Sequence, residues 1–206
     1  MSTATPTTSV DTVIDLRDVS WQTYETLRNN DLNHHVRMTF DQGRLYLMSP
    51  SRLHERIAEL LGRFVNAWTE EKVIPILSAG STTMRDKIRD CGLEPDKCYY
   101  IKNEAVVRRR DVFEFGTDPP PDLAIEVDVT SMSTVRMTIY ARFGVPEIWR
   151  WIDDQIEVYH LDGDTYVRTD RSSSLFDFPF EMVIELLSQR HDVDETSLLA
   201  TFRKSI

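Results

Sequence analysis

An α/β (α+β) chain built on a mixed central β-sheet flanked by helices is what this sequence predicts. Three observations lead there. Period-two alternation at residues 35–48 and 122–129 is interleaved with three-and-four spacing over 51–68, and a further helix over 132–143 and a hairpin over 156–169 follow. Turn residues punctuate them at Asp41-Gln42-Gly43, Gly144-Val145-Pro146 and Asp162-Gly163-Asp164. The composition suits a packed core, with 206 residues, 41% of them hydrophobic and 10% aromatic.

The elements follow in order. Met1 to Thr12 is rich in Ser and Thr and lacks the charged start and apolar stretch of a signal peptide. It reads as a disordered tail over residues 1–12, with a single domain over 13–206. Trp21 to Leu27 forms a short helix capped by Ser20. His35 to Met48 forms an N-terminal β-hairpin around Asp41-Gln42-Gly43. Ser51 caps the clearest helix, whose apolar face is Leu53, Ile57, Leu60, Leu61, Phe64, Val65 and Trp68. Ile74 to Met84 and Lys97 to Lys102 read as strands, and Asp122 to Val129 as another. Met132 to Phe143 is a helix stopped by Gly144. Glu147 to Ile152 is a strand. A C-terminal hairpin over Ile156–Leu161 and Thr165–Thr169 precedes two short helices, Phe180–Ser188 and Glu195–Arg203.

Composition narrows the function. No apolar run approaches the ~20 residues that span a bilayer, so no membrane partner is expected. Two cysteines, Cys91 and Cys98, suit a reducing cytoplasm and are too few for a zinc site. The net charge of −10 argues against a nucleic-acid binder by bulk charge. Local clusters can override it. Arg108-Arg109-Arg110 is a basic run with Arg85, Lys87 and Arg89 upstream. A solvated face is the plainer meaning of such runs.

The chemistry sits in the strand Asp122-Leu123-Ala124-Ile125-Glu126-Val127-Asp128-Val129. Its alternation puts Leu123, Ile125, Val127 and Val129 on one face and Asp122, Glu126 and Asp128 on the other. Acids so close need a cation or a proton between them. Glu94-Pro95-Asp96 places a second acid at the edge of another strand. If that strand pairs with the first, Asp96 and Glu126 meet at a shared end. Two such carboxylates can hold Mg²⁺ or Mn²⁺, and a metal there can activate water for phosphodiester hydrolysis.

These motifs, with Tyr140-Ala141-Arg142-Phe143-Gly144-Val145-Pro146-Glu147-Ile148-Trp149, resemble a widespread bacterial family labelled restriction endonuclease, within the PD-(D/E)XK nuclease superfamily. The resemblance runs from about Trp21 to about Arg203. It implies a restriction-endonuclease-like core, with Asp96 and Glu126 as metal ligands and catalytic residues. The superfamily's lysine belongs two residues after the glutamate, where this chain has Asp128. The resemblance implies that relatives carry it four residues before the tyrosine matching Tyr140, a place that is Arg136 here. Arginine stays protonated and cannot act as a base, yet it can hold a phosphate or orient water.

Three readings of Asp128 stand side by side: third ligand, acid at a helix N-terminus, or partner of Arg136. Asp122 shapes the start of its strand, with an arginine as its candidate partner. Asp122 and Glu55, the latter in the first turn of the long helix, are auxiliary candidates, and Arg108, Arg109 and Arg110 are candidate nucleic-acid contacts. His54 reads as a packing or capping residue. Tyr140, Trp149 and Trp151 read as core or interface aromatics. The leading expectation is a Mg²⁺- or Mn²⁺-dependent DNA endonuclease, homodimeric so as to cut two strands, and weakened by the missing lysine. The alternative is a silent nuclease-fold protein that binds nucleic acid or protein. A small-substrate phosphoesterase is the third reading.

Overall fold

In the computed structural model, residues 11–128 and 133–206 are described. Two sheets are formed. Strands β1 (Thr12–Leu16), β2 (Arg37–Asp41) and β3 (Arg44–Ser49) flank helix α1 (Trp21–Arg28) and a 3-10 turn at Asp31–Asn33. Helix α2 (Arg52–Glu71) is followed by β4 (Leu77–Ser78), β5 (Met84–Asp86), β6 (Cys91–Leu93) and β7 (Lys97–Tyr100). Then come α3 (Glu104–Val107), β8 (Leu123–Val127), α4 (Ser133–Phe143), β9 (Glu147–Ile152), β10 (Gln155–Asp162), β11 (Thr165–Thr169), α5 (Phe180–Ser188) and α6 (Glu195–Ser205).

The central sheet has the order β11-β10-β9-β8-β7-β4. It is mixed, because β8 and β9 run parallel while their other neighbours are antiparallel. The expected N-terminal hairpin is present, but it belongs to a second, antiparallel sheet ordered β1-β3-β2-β6-β5. The single strand expected over Ile74–Met84 is instead two, one in each sheet. A turn divides it: Gly80 has a φ of +58°, and the Thr82 amide closes on the Ala79 carbonyl at 3.1 Å. In β6, a Cβ at Gly92 would collide with the buried Tyr24 hydroxyl, so glycine is required there.

Residues 1–10 of the expected tail, with Val129 and Met132, lie outside the described residues. Asp11 and Thr12 depart from that expectation. Asp11 is buried, its carboxylate accepts from the Ser51 amide at 2.7 Å, and Thr12 opens β1. No helix among the described residues is long and apolar enough to cross a membrane. Both cysteines are free and buried.

The alternation of β8 decides where the core lies. Leu123, Ile125 and Val127 pack with Ile57, Leu60, Leu61, Phe64 and Val65 of α2 and with α5 and α6. Ala124, on the other face, packs with Met84, Cys91, Leu93, Ile139 and Tyr140. Ser51 caps α2 by accepting from the His54 amide at 3.2 Å. A second fixed point is Glu147, at the start of β9 and fully buried. Its carboxylate accepts from Trp149 Nε1, from the Ser172 and Ser173 hydroxyls and from the Ser173 and Ser174 amides at 2.6–2.9 Å. Burial alone would raise its pKa. The donors outweigh burial and hold it below the ordinary 4.5.

A lowered folded-state pKa adds stability above the unfolded value, and that stability is lost as pH falls through the folded one. Glu147→Gln is therefore expected to lower stability at pH 7 by about 2 kcal/mol and to flatten the loss below pH 4.5, as read from urea unfolding across pH.

Candidate functional site

The acids sit where β7 begins and the antiparallel β8 ends. Lys97 pairs with Ile125 and Cys98 with Ala124, a register that sets Asp96 opposite Glu126. Both side chains are buried.

Glu126 meets helix α4. Arg136 Nε donates to Oε2 at 2.6 Å and Nη2 to Oε1 at 2.7 Å, a two-pronged contact. The Tyr140 hydroxyl also donates to Oε1. Arg136 and Tyr140 are four residues apart, so one helix face presents both. The remaining Arg136 donors reach across to the second sheet. Nη1 donates to Thr39 Oγ1 at 2.8 Å, and Nη2 also donates to the Glu94 carbonyl at 2.6 Å. Burial opposes the guanidinium charge, but Glu126 outweighs it and raises the Arg136 pKa. Burial first, and then the Glu126 charge, push the Tyr140 pKa well up.

Asp96 is held by a different set of partners. Its Oδ2 accepts from the Val127 amide at 2.7 Å, and its Oδ1 pairs with Arg37 Nη1. Arg37 also donates to Glu55 Oε1 at 2.7 Å. His54 Nε2 stands 3.0 Å from Asp96 Oδ1 without making an aligned hydrogen bond. His54 Nδ1 lies 3.0 Å from Asp11 Oδ2. Burial alone would raise the Asp11 pKa; His54 and the Ser51 amide hold it below the ordinary carboxylate range. Beside them, Glu94 is tied to Arg28 at 2.9 Å, to the Thr83 hydroxyl at 2.8 Å and to the Met38 amide at 3.1 Å.

A family model described as "Uma2: Putative restriction endonuclease" matches residues 21–175. The chain belongs to the Uma2 family. A solved structure, described as a putative nuclease belonging to DUF820 from Anabaena variabilis ATCC 29413, is similar at 16% identity with a TM-score of 0.49. The match covers 79% of this chain and 90% of that one. No curated protein matches.

Divalent metals are general among restriction-endonuclease-like proteins, and this Uma2 chain has carboxylates at the corresponding centre. The chemistry is right, since carboxylate oxygens suit Mg²⁺ or Mn²⁺. The arrangement does not fit. Both Glu126 oxygens are held by Arg136, and Asp96 is held by Arg37 and the Val127 amide. Among the described residues, no group of three or more His, Cys, Asp or Glu side chains is placed to hold a metal ion.

Asp128 does not pair with Arg136. Arg150 of the neighbouring β9 donates to it at 2.6 and 3.2 Å, while Arg136 is spent on Glu126. Asp122 takes no arginine. It accepts from the Ile101 and Asn103 amides and from the Asn103 side chain at 2.7–3.0 Å, clamping the chain after β7. In the basic run, Arg108 pairs with Glu104 and Arg110 with Asp118, leaving Arg109 exposed. Glu55 does join the acid pair, through Arg37.

Sequence reasoning missed Arg37, Thr39 and Asp11 and took His54 for a packing or capping residue; Tyr140 is the core aromatic expected, and it also donates to Glu126. The four-residue step from Arg136 to Tyr140 was a signal for the tyrosine. The period-two step from Arg37 to Thr39 put both on one strand face, but nothing local named their partners.

Removing one member of a buried ion pair typically costs about 3–5 kcal/mol, whereas replacing both with apolar side chains is often neutral. Arg136→Ala is expected to lose stability in that range in urea unfolding. Glu126→Leu with Arg136→Met is expected to recover most of it.

Proposed function

We propose that this chain engages nucleic-acid phosphodiesters on an endonuclease scaffold but hydrolyses them weakly or not at all. The observation behind this reading is the Arg136 fork on Glu126. A carboxylate whose oxygens face a permanent cation has little capacity left for a metal or a reacting water. A lysine at this place would be a single point charge that holds fewer lone pairs and releases them more readily. With a net charge of −10, binding depends on local cationic side chains and not on bulk attraction.

A second reading is the Mg²⁺- or Mn²⁺-dependent DNA endonuclease, homodimeric, with Asp96 and Glu126 at the ion and Asp128 as a helper. The register that sets Asp96 opposite Glu126 favours it.

Nicking of supercoiled plasmid in Mn²⁺ separates the two. The expected result is background nicking by the parent and at least about tenfold more by Arg136→Lys, a barrier change of ~1.4 kcal/mol. Adding Asp96→Ala to that variant should return it to background. Efficient nicking by the parent, abolished by Asp96→Ala and not raised by Arg136→Lys, would establish the second reading. Millimolar Mn²⁺ is likewise expected to leave the parent's Tm unchanged, because a ligand stabilises only the state it binds.

A further inference from the structure

One side of the molecule carries a cleft of about 440 Å³, within the range of small-ligand sites. Its lining includes Arg28 and Asn29 at the end of α1, Thr83 and Arg85 around β5, and Phe113 and Phe115 from the segment before β8. We propose that this cleft accepts one unpaired nucleotide of a bound nucleic-acid strand. The proposal rests on the nucleic-acid reading above and assigns that reading a subsite.

Each part of such a ligand has a counterpart. Arg85 donates to Asn29 Oδ1 at 2.8 Å and makes no ion pair among the described residues, so most of its donors remain for a phosphate. Arg28 is neutralised by Glu94 at 2.9 Å and serves as a wall. Asp111 and Glu114 also line it, so the cleft suits a single phosphate at Arg85 and not a long phosphate track.

The rings are fixed from behind. Phe113 stacks on Tyr100 at 5.1 Å, and Phe115 meets Phe143 edge-on at 5.7 Å. Rigid aromatic faces stack bases irrespective of sequence, and only an unpaired base offers its face.

The cleft is joined to the acid pair. Thr83 and Arg28 both hold the Glu94 carboxylate, whose backbone carbonyl accepts from Arg136. A strand seated in the cleft therefore borders the segment that carries Asp96.

Fluorescence anisotropy with a labelled single-stranded thymidine dodecamer, and with the corresponding duplex, tests the proposal. The parent is expected to bind the single strand more tightly than the duplex. Arg85→Ala is expected to weaken single-strand binding about tenfold and to flatten the salt dependence of log K by about 0.7. Phe113→Leu should weaken it at unchanged salt slope. Equal Tm values in the parent and both variants exclude misfolding, and Arg168→Ala, away from the cleft, is the control. Single-strand binding by the parent that both variants preserve would overturn the subsite and leave the nucleic-acid reading standing. Displacement of the strand by equimolar thymidine monophosphate would overturn the strand assignment in favour of a free nucleotide. No binding of either nucleic acid by the parent would overturn the nucleic-acid reading, and the subsite with it.

Discussion

A carboxylate in the middle of a buried strand needs a counter-charge, and the structure answers that need with Arg136. Glu126 lies between aliphatic neighbours on β8 and is 7% exposed. Left alone there, its charge would cost several kcal/mol. The guanidinium gives both oxygens a donor, and the tyrosine one turn further along α4 adds another. Arg136 also donates to Thr39 and to the Glu94 carbonyl, so one side chain ties α4, the central sheet and the second sheet together.

The same solution recurs around the centre. Asp96 has Arg37, Asp128 has Arg150 and Glu94 has Arg28. In this Uma2-family chain four acids that could have formed a strongly negative pocket are each matched by a guanidinium. A centre neutralised in this way gains little from a divalent cation, because the ion must first displace a bidentate contact already stripped of water. Under the proposed function the cost of the arrangement falls on hydrolysis, and strand binding rests on other surfaces.

Much of this was legible in the sequence where the signal is local. The alternation of β8 placed the aliphatic and acidic faces correctly, and Ser51 with the three-and-four spacing fixed α2. The register between the Asp96 and Glu126 strands was a conditional expectation that the pairing bears out. What escaped was long-range. That the hairpin leaves the central sheet depends on β6, a short strand centred on Gly92 against Tyr24, and no periodic pattern marks it. The Arg37 contact spans 59 residues of chain and the Thr39 contact 97, so their partners are settled by tertiary packing alone. Arg136 was singled out as the place of a missing lysine; its carboxylate partner depended on the angle at which α4 crosses the sheet.

Anomalous scattering from crystals grown in Mn²⁺ tests most directly whether a guanidinium has taken the place of a metal. The expected map has no manganese peak beside Glu126, with the Arg136 fork still seated on both oxygens. A manganese peak between Asp96 and Glu126, with Arg136 swung away, would contradict it.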